Sequence, residues 1–395
     1  MTKNILRPKK AKAAGKKKRS AHEDSRARGA GAGLGTCTLE EILSQPETWR
    51  ETKRKAIHDR ALAEVFGARA ATEPWLFIAC GSSYYLSRTI AAQWSSVLPV
   101  TCTGVPASEM LLAPEELLQR TRARNVVLIS RSGKTTEVLR VARWLAARGG
   151  IQTLGVTCNE SSELEVSCTH TLKLPWADEK SMVMTRSFTS ILLVFQQFAA
   201  KLVGNGKLTA ALDGLPEKAE EWLTANADKI RAFGAKRRFE DYVFLGQGAH
   251  YWLAQEAALK MTEMSSSYAQ AYHTLEFRHG PKAIAGRDTL ITFLLSEAGA
   301  AEEIPLIGEL KKLRTATLVI ANRATPDLRR ESDAAIELEM DGPEEARLAL
   351  TAIPAQLLAL GVSRRKGLNA DAPRNLTRAV VLESADGAPP KRRSA

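Results

Sequence analysis

The sequence predicts an α/β protein made of two copies of one unit, each a parallel sheet flanked by helices. The first observation is that short apolar runs alternate with helical patterns in both halves of the chain. The second is a nearly constant separation between matching runs, which indicates an internal duplication. The separation is 167 residues from Phe77 to Phe244, 166 from Ile129 to Leu295 and 164 from Val156 to Ile320.

Six apolar runs are predicted strands, three in each copy. None alternates apolar with polar residues, which is typical of parallel strands buried on both faces. Ligands of such sheets bind where the strands end, in the turns that lead into the helices. The runs are Trp75–Ala79, Val126–Ser130, Thr153–Thr157, Tyr242–Leu245, Leu290–Leu295 and Thr317–Ala321.

A helical segment, Thr38–Phe66, precedes the first copy. Thr38 is its predicted N-cap, because Glu41 follows three residues later as in a capping box. We expect this segment to pack against the first copy.

The charge of the chain is concentrated at its two ends. The formal net charge is +12, but residues 1–33 hold eleven Lys and Arg against two Asp and Glu, and the last ten hold three against one. The part between them is nearly neutral. We therefore expect no nucleic-acid partner for the folded part, since only the Ala-, Gly- and Lys-rich N-terminal tail offers a nonspecific basic surface.

Membrane, secretory and disulfide classes are not indicated. No run of 18 apolar residues is present, and the N-terminus lacks the apolar core of a secretory signal. The five cysteines show no CxxC spacing. A disulfide framework and a zinc site are therefore not expected, and a reducing cytoplasm suits the composition.

A hydroxyl-rich turn, Ser130–Thr135, follows the apolar run Asn125–Ile129. It resembles the end of a nucleotide-binding P-loop, but the glycine that pattern requires is replaced by Leu128 inside the strand. The turn is still suited to a phosphate, because backbone N–H groups and the dipole at a helix N-terminus favour an anion. We expect a small phosphorylated metabolite; the alternative is a Ser/Thr N-cap without a ligand.

The second copy lacks this hydroxyl cluster. Its corresponding strand runs into Ser296–Gly299, whose sequence is Ser-Glu-Ala-Gly. The first copy is therefore expected to hold the phosphate, and the second to contribute something else.

One helical pattern carries three charged residues on a single face. Glu256, Lys260 and Glu263 are spaced by four and then three residues. From the spacing alone, an exposed charge ladder is the more common interpretation. Sixteen residues further on, His279 lies in a Gly-Pro turn, which places it on a loop. A histidine and a carboxylate beside a sugar phosphate suit aldose–ketose chemistry, which moves protons and requires no metal or redox cofactor.

Together these stretches resemble the SIS (sugar isomerase) superfamily in its two-domain form. They are similar to AgaS-type amino-sugar-6-phosphate deaminase/isomerases and to the isomerase half of glucosamine-6-phosphate synthase. The likeness covers roughly residues 37–383. The stretches that carry it are Cys80–Tyr84, Ile129–Thr135, Glu179–Thr189, Glu256–Glu263, Phe277–Lys282 and Pro373–Leu376.

The resemblance implies two tandem SIS domains, each a flavodoxin-like parallel sheet of five strands. The expected boundaries are a disordered basic tail at 1–36, a helical segment at 37–70, a phosphate-binding domain at 71–215, a catalytic domain at 216–370, and a C-terminal segment and tail at 371–395.

The resemblance also implies a role for each site residue. The phosphate would be bound by the side chains of Ser130, Ser132 and Thr135 and by the backbone of Arg131. Glu263 would be the base, supported by Lys260, and His279 would open the sugar ring from the partner subunit of a homodimer. The sugar would contact Ser83 and the backbone of Met182 and Val183, with Arg378 near it.

Three departures from the synthase are visible. No glutamine-hydrolysing domain precedes residue 37, so we do not expect glutamine as the internal ammonia source. Arg378 stands where the synthase has an imine-forming lysine, and a guanidinium stays protonated, so it is expected to clamp the substrate. Arg131 and Lys134 replace a glutamine and a glutamate, and their charge would favour a more anionic substrate or strengthen phosphate binding.

The expected activity is that of an amino-sugar-6-phosphate deaminase/isomerase without cofactor or metal. The alternatives are a glutaminase-less aminotransferase like the synthase, a deglycase of sugar-phosphate–amine adducts, and a sugar-phosphate-sensing regulator. No helix-turn-helix pattern supports the regulator. A cytoplasmic homodimer acting on a phosphorylated sugar or amino sugar is expected.

Overall fold

Each half of the chain forms a five-stranded parallel sheet in a computed structural model that describes residues 33–56 and 65–382. The order is β2-β1-β3-β4-β5 in the first sheet and β10-β9-β8-β6-β7 in the second. With β6 matched to β1 and β7 to β2, the two orders are the same flavodoxin-like order, so the duplicated α/β fold is confirmed. The strands are β1 Trp75–Ala79, β2 Cys102–Pro106, β3 Asn125–Ile129, β4 Gln152–Thr157, β5 His170–Lys173, β6 Asp241–Gly246, β7 Tyr268–His273, β8 Thr289–Leu294, β9 Ala316–Ala321 and β10 Ala334–Glu337.

Helices surround both sheets. In the first half they are α1 Thr36–Leu43, α2 Gln45–Ala56, α3 Ser82–Val97, α4 Ala107–Leu112, α5 Pro114–Thr121, α6 Thr136–Arg148, α7 Glu163–Ser167 and α8 Arg186–Leu202. In the second half they are α9 Gly206–Asp213, α10 Leu215–Lys236, α11 Ala249–Ser265, α12 Ala300–Lys312, α13 Pro326–Glu331 and α14 Leu348–Arg365.

One hydrophobic core joins the two halves. Successive strand residues point to opposite faces of a sheet, and Phe77 and Phe244 point into this shared core. Their neighbours Leu76 and Val243 point the other way, into separate outer clusters covered by the helices of each half. Both sheets are therefore buried on two faces, as the unbroken apolar runs predict.

The stretch Glu344–Arg365, which includes α14, is long and apolar enough to cross a bilayer, but its apolar window is wholly buried in the protein. It packs against α10 and α11 and is a central core helix of the described chain.

The predicted capping box at Thr38 is wrong. The helix begins at Thr36, and its N-cap position is Gly35. Thr38 instead donates from its backbone N–H and its hydroxyl to Asp371, both at 2.7 Å. The Glu41 carboxylate accepts hydrogen bonds from the backbone of Lys180 and Ser181.

The N-terminal helices pack on both halves, not on the first alone. Helix α2 contacts α8 and α10, while α1 contacts α14. The expected basic tail falls almost entirely outside the described residues, as do residues 57–64 of the predicted helical segment and the end of the chain after residue 382.

Candidate active site

The hydroxyl-rich turn lies between β3 and α6. The hydroxyls of Ser130 and Thr135 are 2.9 Å apart, and the backbone N–H of Gly133 donates to Ser130 Oγ at 3.2 Å. Thr135 holds the N-cap position of α6, yet its side chain does not cap the helix. Gly133 has φ +64°, and a Cβ there would lie 2.2 Å from the Cβ of Ser162, so the turn requires glycine.

This turn opens into a cavity of about 160 Å³ that both halves of the chain build. Its walls come from the turns after β1 and β3, from α11 and from the C-terminal segment. A larger cavity of about 600 Å³ lies between α10 and the β9–β10 edge, so the assignment rests on chemistry and not on size. The small cavity is lined by Cys80, Gly81, Ser82, Ser83, Arg131, Ser132, Thr135, Met182, Met184, Lys260, Glu263, Thr377, Arg378, Ala379 and Val380.

Helix α11 presents Lys260 and Glu263 to this cavity. The Lys260 ammonium donates to Glu263 Oε2 and, at 2.9 Å, to Ser82 Oγ, and it lies 3.4 Å from Glu256 Oε1. The Lys260 and Glu256 side chains are only 1% and 4% exposed, so the helix face is not an exposed charge ladder. Glu263 is 18% exposed and faces the cavity.

The protonation of this cluster follows from its burial. Burial raises the pKa of Glu256 to about 8, although Lys260 works against that rise. Burial alone would lower the pKa of Lys260, but the carboxylates of Glu256 and Glu263 outweigh it and raise that pKa. Glu256 therefore keeps its proton to a higher pH than an exposed glutamate does, and Lys260 forms an ion pair with Glu263.

The side chain of Arg131 organises the far wall of the cavity. Its guanidinium donates to Glu179 at 2.9 Å and to the backbone carbonyls of Val183 at 3.1 Å, Met182 at 2.7 Å and Arg378 at 3.4 Å. The side chains of Arg131 and Glu179 are 5% and 0% exposed. The positive charge of Arg131 is therefore neutralised by an ion pair inside the protein.

Both carboxylate oxygens of Glu179 have hydrogen-bond partners. It also accepts from the backbone N–H and hydroxyl groups of Thr185 and Ser187, at the start of α8. Burial alone would raise the pKa of Glu179, but Arg131 and the Ser187 hydroxyl outweigh it and hold that pKa below its usual range. A carboxylate at a helix N-terminus is also favoured by the helix dipole.

Most other sequence-predicted sugar contacts lie in or beside the cavity. Ser83 lines it and contacts Met184 Sδ at 3.5 Å. Met182 lines it as well, but Val183 is buried behind the wall and gives its carbonyl to Arg131. Arg378 lines the cavity and pairs with Asp178 at 2.5 Å.

His279 does not line the cavity of its own chain. It is exposed on the loop after β7, where Phe277 is fully buried and anchors the loop. Arg278 and Lys282 both bind Glu309 of α12, at 3.0 and 2.9 Å. The loop is thus fixed so that His279 is presented to the outside.

The residues that sequence reasoning missed are Ser82, Glu256 as a buried acid, Glu179 and Asp178. Ser82 neighbours Ser83 in the same turn, and Glu179 begins one of the stretches that carry the family resemblance, so both were within reach of the sequence pattern. The burial of Glu256 was not, because helical spacing alone does not tell an exposed face from a buried one.

Fold and site together define a duplicated α/β protein with a hydroxyl-rich turn beside a carboxylate–ammonium pair. The chain belongs to the SIS domain family, whose model matches residues 74–201 and 240–363.

The chain is similar to the isomerizing glutamine–fructose-6-phosphate aminotransferase of Methanothermobacter thermautotrophicus, with 28% identity over 348 residues. The match covers 87% of this chain and 57% of that enzyme, so the chain spans a little over half of its length.

Solved structures show the same architecture. Glucosamine-6-phosphate deaminase from Thermotoga maritima is 29% identical with a TM-score of 0.68, and the match covers 88% of this chain and 100% of that one. Tagatose-6-phosphate ketose/aldose isomerase from Escherichia coli has a TM-score of 0.75 at 20% identity, with 89% and 98% covered, and shows the shared fold.

Proposed function

We propose that the protein is an amino-sugar-6-phosphate deaminase/isomerase. It converts a hexosamine 6-phosphate and water to the ketose 6-phosphate and ammonia, or interconverts the related aldose and ketose by the same proton transfer. The observation that carries this proposal is the shared cavity: Glu263 and Lys260 from one half face the hydroxyls of Ser132 and Thr135 from the other. Similarity to a glucosamine-6-phosphate deaminase supports it.

The reaction needs one base that serves two carbons. Glu263 removes the proton from C2 of the open-chain hexosamine, and the electrons form an enolamine between C1 and C2. Returning the proton to C1, with one proton passing from the amine to O1, gives a 1-hydroxyl and an imine at C2, which water hydrolyses to the ketone with release of ammonia. Lys260 holds the carboxylate of Glu263 in place and stabilises the charge that develops on O1.

The remaining site residues bind the substrate. Ser130, Ser132, Thr135 and the backbone of Arg131 hold the phosphate at the N-terminus of α6. Ser83 and Met182 contact the sugar, while Val183, behind the wall, supports the site through its carbonyl bond to Arg131. Because a guanidinium is a poor imine-forming group, Arg378 acts as a clamp. No cofactor takes part.

The proposal includes a homodimer in the cytoplasm. His279 lies outside the cavity of its own chain, which supports its supply by a partner subunit for ring opening. The free thiols of the five cysteines, all within the described residues, agree with a reducing compartment.

The base is tested by Glu263→Gln, which removes the proton acceptor while keeping the shape. We expect kcat to fall by about 10²–10⁴-fold, the usual contribution of a general base, with ligand binding retained. Glu302→Gln, the same change at an exposed position of α12, is the matched control. Near-normal turnover by the Glu263 variant would refute the assignment.

The reaction is tested by incubating the protein with glucosamine 6-phosphate and with galactosamine 6-phosphate. Ammonia and ketose 6-phosphate should appear in equal amounts. Isomerised sugar without ammonia would restrict the activity to aldose–ketose isomerisation, and no product from either substrate would contradict the proposal.

Similarity to the aminotransferases favours a second candidate, the ammonia-dependent amination of a ketose 6-phosphate. It is distinguished by supplying fructose 6-phosphate with ammonium or with glutamine. Net formation of hexosamine 6-phosphate in preference to its breakdown would favour amination over deamination.

A further inference from the structure

A second cavity, of about 480 Å³, lies where β6 and β8 end. Pockets of 300–1,000 Å³ are typical of small-molecule sites. It is separate from the candidate active site and shares none of its lining residues. The second cavity is lined by Ala92, Gln93, Ser96, Gln247, Gly248, Ala249, His250, Ser296, Ala298, Gly299, Glu344, Glu345 and Leu348.

This cavity is the duplicate of the active site. Gln93 and Ser96 of α3 lie 167 residues before Lys260 and Glu263 of α11, the same separation that relates Phe77 to Phe244. Each helix therefore begins at one cavity and ends at the other, and the two helices pack against each other.

The anion turn is duplicated in the same way. The backbone N–H of Gly299 donates to Ser296 Oγ at 3.0 Å, as that of Gly133 donates to Ser130 Oγ at 3.2 Å. The two serines are 166 residues apart in the sequence, and so are the two glycines. The second turn has thus kept this hydrogen bond, although its backbone differs, since φ is +64° at Gly133 and −96° at Gly299.

A built-in carboxylate takes the place of a phosphate in the second turn. Glu303 of α12 is fully buried and accepts from Ser296 Oγ at 2.8 Å and from Thr274 Oγ1 at 2.7 Å. Burial raises the pKa of Glu303, but its side chain fills the turn in either protonation state, because a Cβ at Gly299 would lie 2.4 Å from Glu303 Oε1. A phosphate would find the turn occupied and the Ser296 hydroxyl already used. The ligand of this cavity therefore carries no phosphate.

The polar lining defines what the cavity does bind. The side chain of Gln93 is buried, with only 1% of the residue exposed, and neither its amide nitrogen nor its oxygen has a hydrogen-bond partner. A buried amide left unpaired is unfavourable, so a ligand that both donates and accepts hydrogen bonds would stabilise it. Hydroxyl groups do both.

The lining holds two acidic side chains, although burial raises the pKa of Glu344. Glu344 and Glu345 line the cavity, and no Lys or Arg does so within the described part of the chain. The nearby Arg347 pairs with Glu297 and donates to the carbonyls of residues 340 and 342. Burial lowers the pKa of His250 to about 4 and keeps its ring neutral. An ammonium group on the ligand complements this charge.

We propose that this cavity is a second binding site, specific for a phosphate-free amino sugar. The hydroxyls of the sugar bind Gln93 and Ser96, and its ammonium group faces Glu344 and Glu345. The site goes beyond the proposed catalytic function. Because α3 and α11 connect the two cavities, its occupancy is positioned to influence Lys260 and Glu263.

Calorimetric titration of the full-length chain with glucosamine, in the presence of saturating inorganic phosphate, tests the proposal. We expect one binding event per chain. Gln93→Leu removes the amide at similar volume, and Ser96→Trp fills the cavity from an exposed position, so each should weaken binding at least tenfold. If Gln93→Leu does not fold, Ser96→Trp still decides the outcome.

Two variants serve as controls. Gln197→Leu makes the same change at a buried glutamine of α8 outside the cavity, and Thr135→Val alters the first site; both should bind glucosamine within about twofold of wild type. The proposal is overturned if millimolar glucosamine gives no binding. It is also overturned if Thr135→Val weakens binding and Gln93→Leu does not, or if inorganic phosphate binds in the second cavity. Deaminase activity is measured in a separate assay. A protein without that activity would still give the binding results described here, so failure of the proposed function and failure of this proposal are distinguishable.

Discussion

The side chain of Arg131, in the hydroxyl-rich turn, stabilises the fold and does not offer its charge to the cavity. From sequence, Arg131 and Lys134 together suggested added attraction for an anionic substrate. The structure turns the Arg131 guanidinium inward onto Glu179 and three backbone carbonyls, while Lys134 is exposed to solvent. The charge available to a ligand is therefore smaller than residue types indicate.

Replacing Arg131 should destabilise the protein strongly. Arg131→Gln leaves the buried carboxylate of Glu179 without its partner, and removing one member of a buried ion pair costs about 3–5 kcal/mol. Urea unfolding should show a loss of that size in the free energy of unfolding.

A double-mutant cycle separates this loss from general damage. Adding Glu179→Gln to the Arg131 variant neutralises the stranded charge, so the double variant should lose less than the sum of the two single losses by more than 1 kcal/mol. Simple additivity would show that the two side chains do not depend on each other.

Among the strands, those at the centre of each sheet were predictable and those at the edges were not. The three central strands of the first sheet read as continuous apolar runs because both of their faces are covered. The edge strands β2, β5, β7 and β10 include many partly exposed positions, so no apolar run marks them. Their presence followed only from the family resemblance.

The start of α1 was misplaced for a different reason. Its first N–H groups are capped by Asp371, a residue more than 330 positions away, which accepts from Cys37 at 3.2 Å and from Thr38 at 2.7 Å. A local pattern cannot include such a partner, and Glu41, the expected partner in a capping box, instead binds the backbone at Lys180 and Ser181.

Asp371→Ala should therefore destabilise the packing of α1. Loss of a capping side chain costs about 0.5–2 kcal/mol, and the midpoint of thermal unfolding should fall accordingly. Asp371→Asn retains an oxygen at the cap and should recover most of the loss. Equal losses in both variants would show that the negative charge, and not the capping oxygen, stabilises the helix.

At the scale of the whole molecule, the duplication divides the candidate site between the halves. The first half supplies the hydroxyl-rich turn and Ser82, and the second supplies Lys260 and Glu263. Sequence patterns located both groups, because each lies in a distinct stretch. The packing that joins them, and the burial of Glu256 that it produces, depends on contacts between α3 and α11 that no local spacing encodes.

An active site shared between two subunits predicts that two inactive variants restore activity when they form a mixed dimer. If Glu263 and His279 act in one active site but come from different subunits, the inactive variants Glu263→Gln and His279→Ala should complement each other. Random exchange in a 1:1 mixture makes half of the dimers mixed, and each mixed C2 dimer contains one intact site, so about a quarter of wild-type activity should return. Separate tags and isolation of the mixed dimer confirm the assembly, and each variant exchanged against itself is the control. A mixed dimer as inactive as its parents would show that His279 serves the chain to which it belongs. A fully active His279→Ala variant would show that His279 takes no part in the reaction.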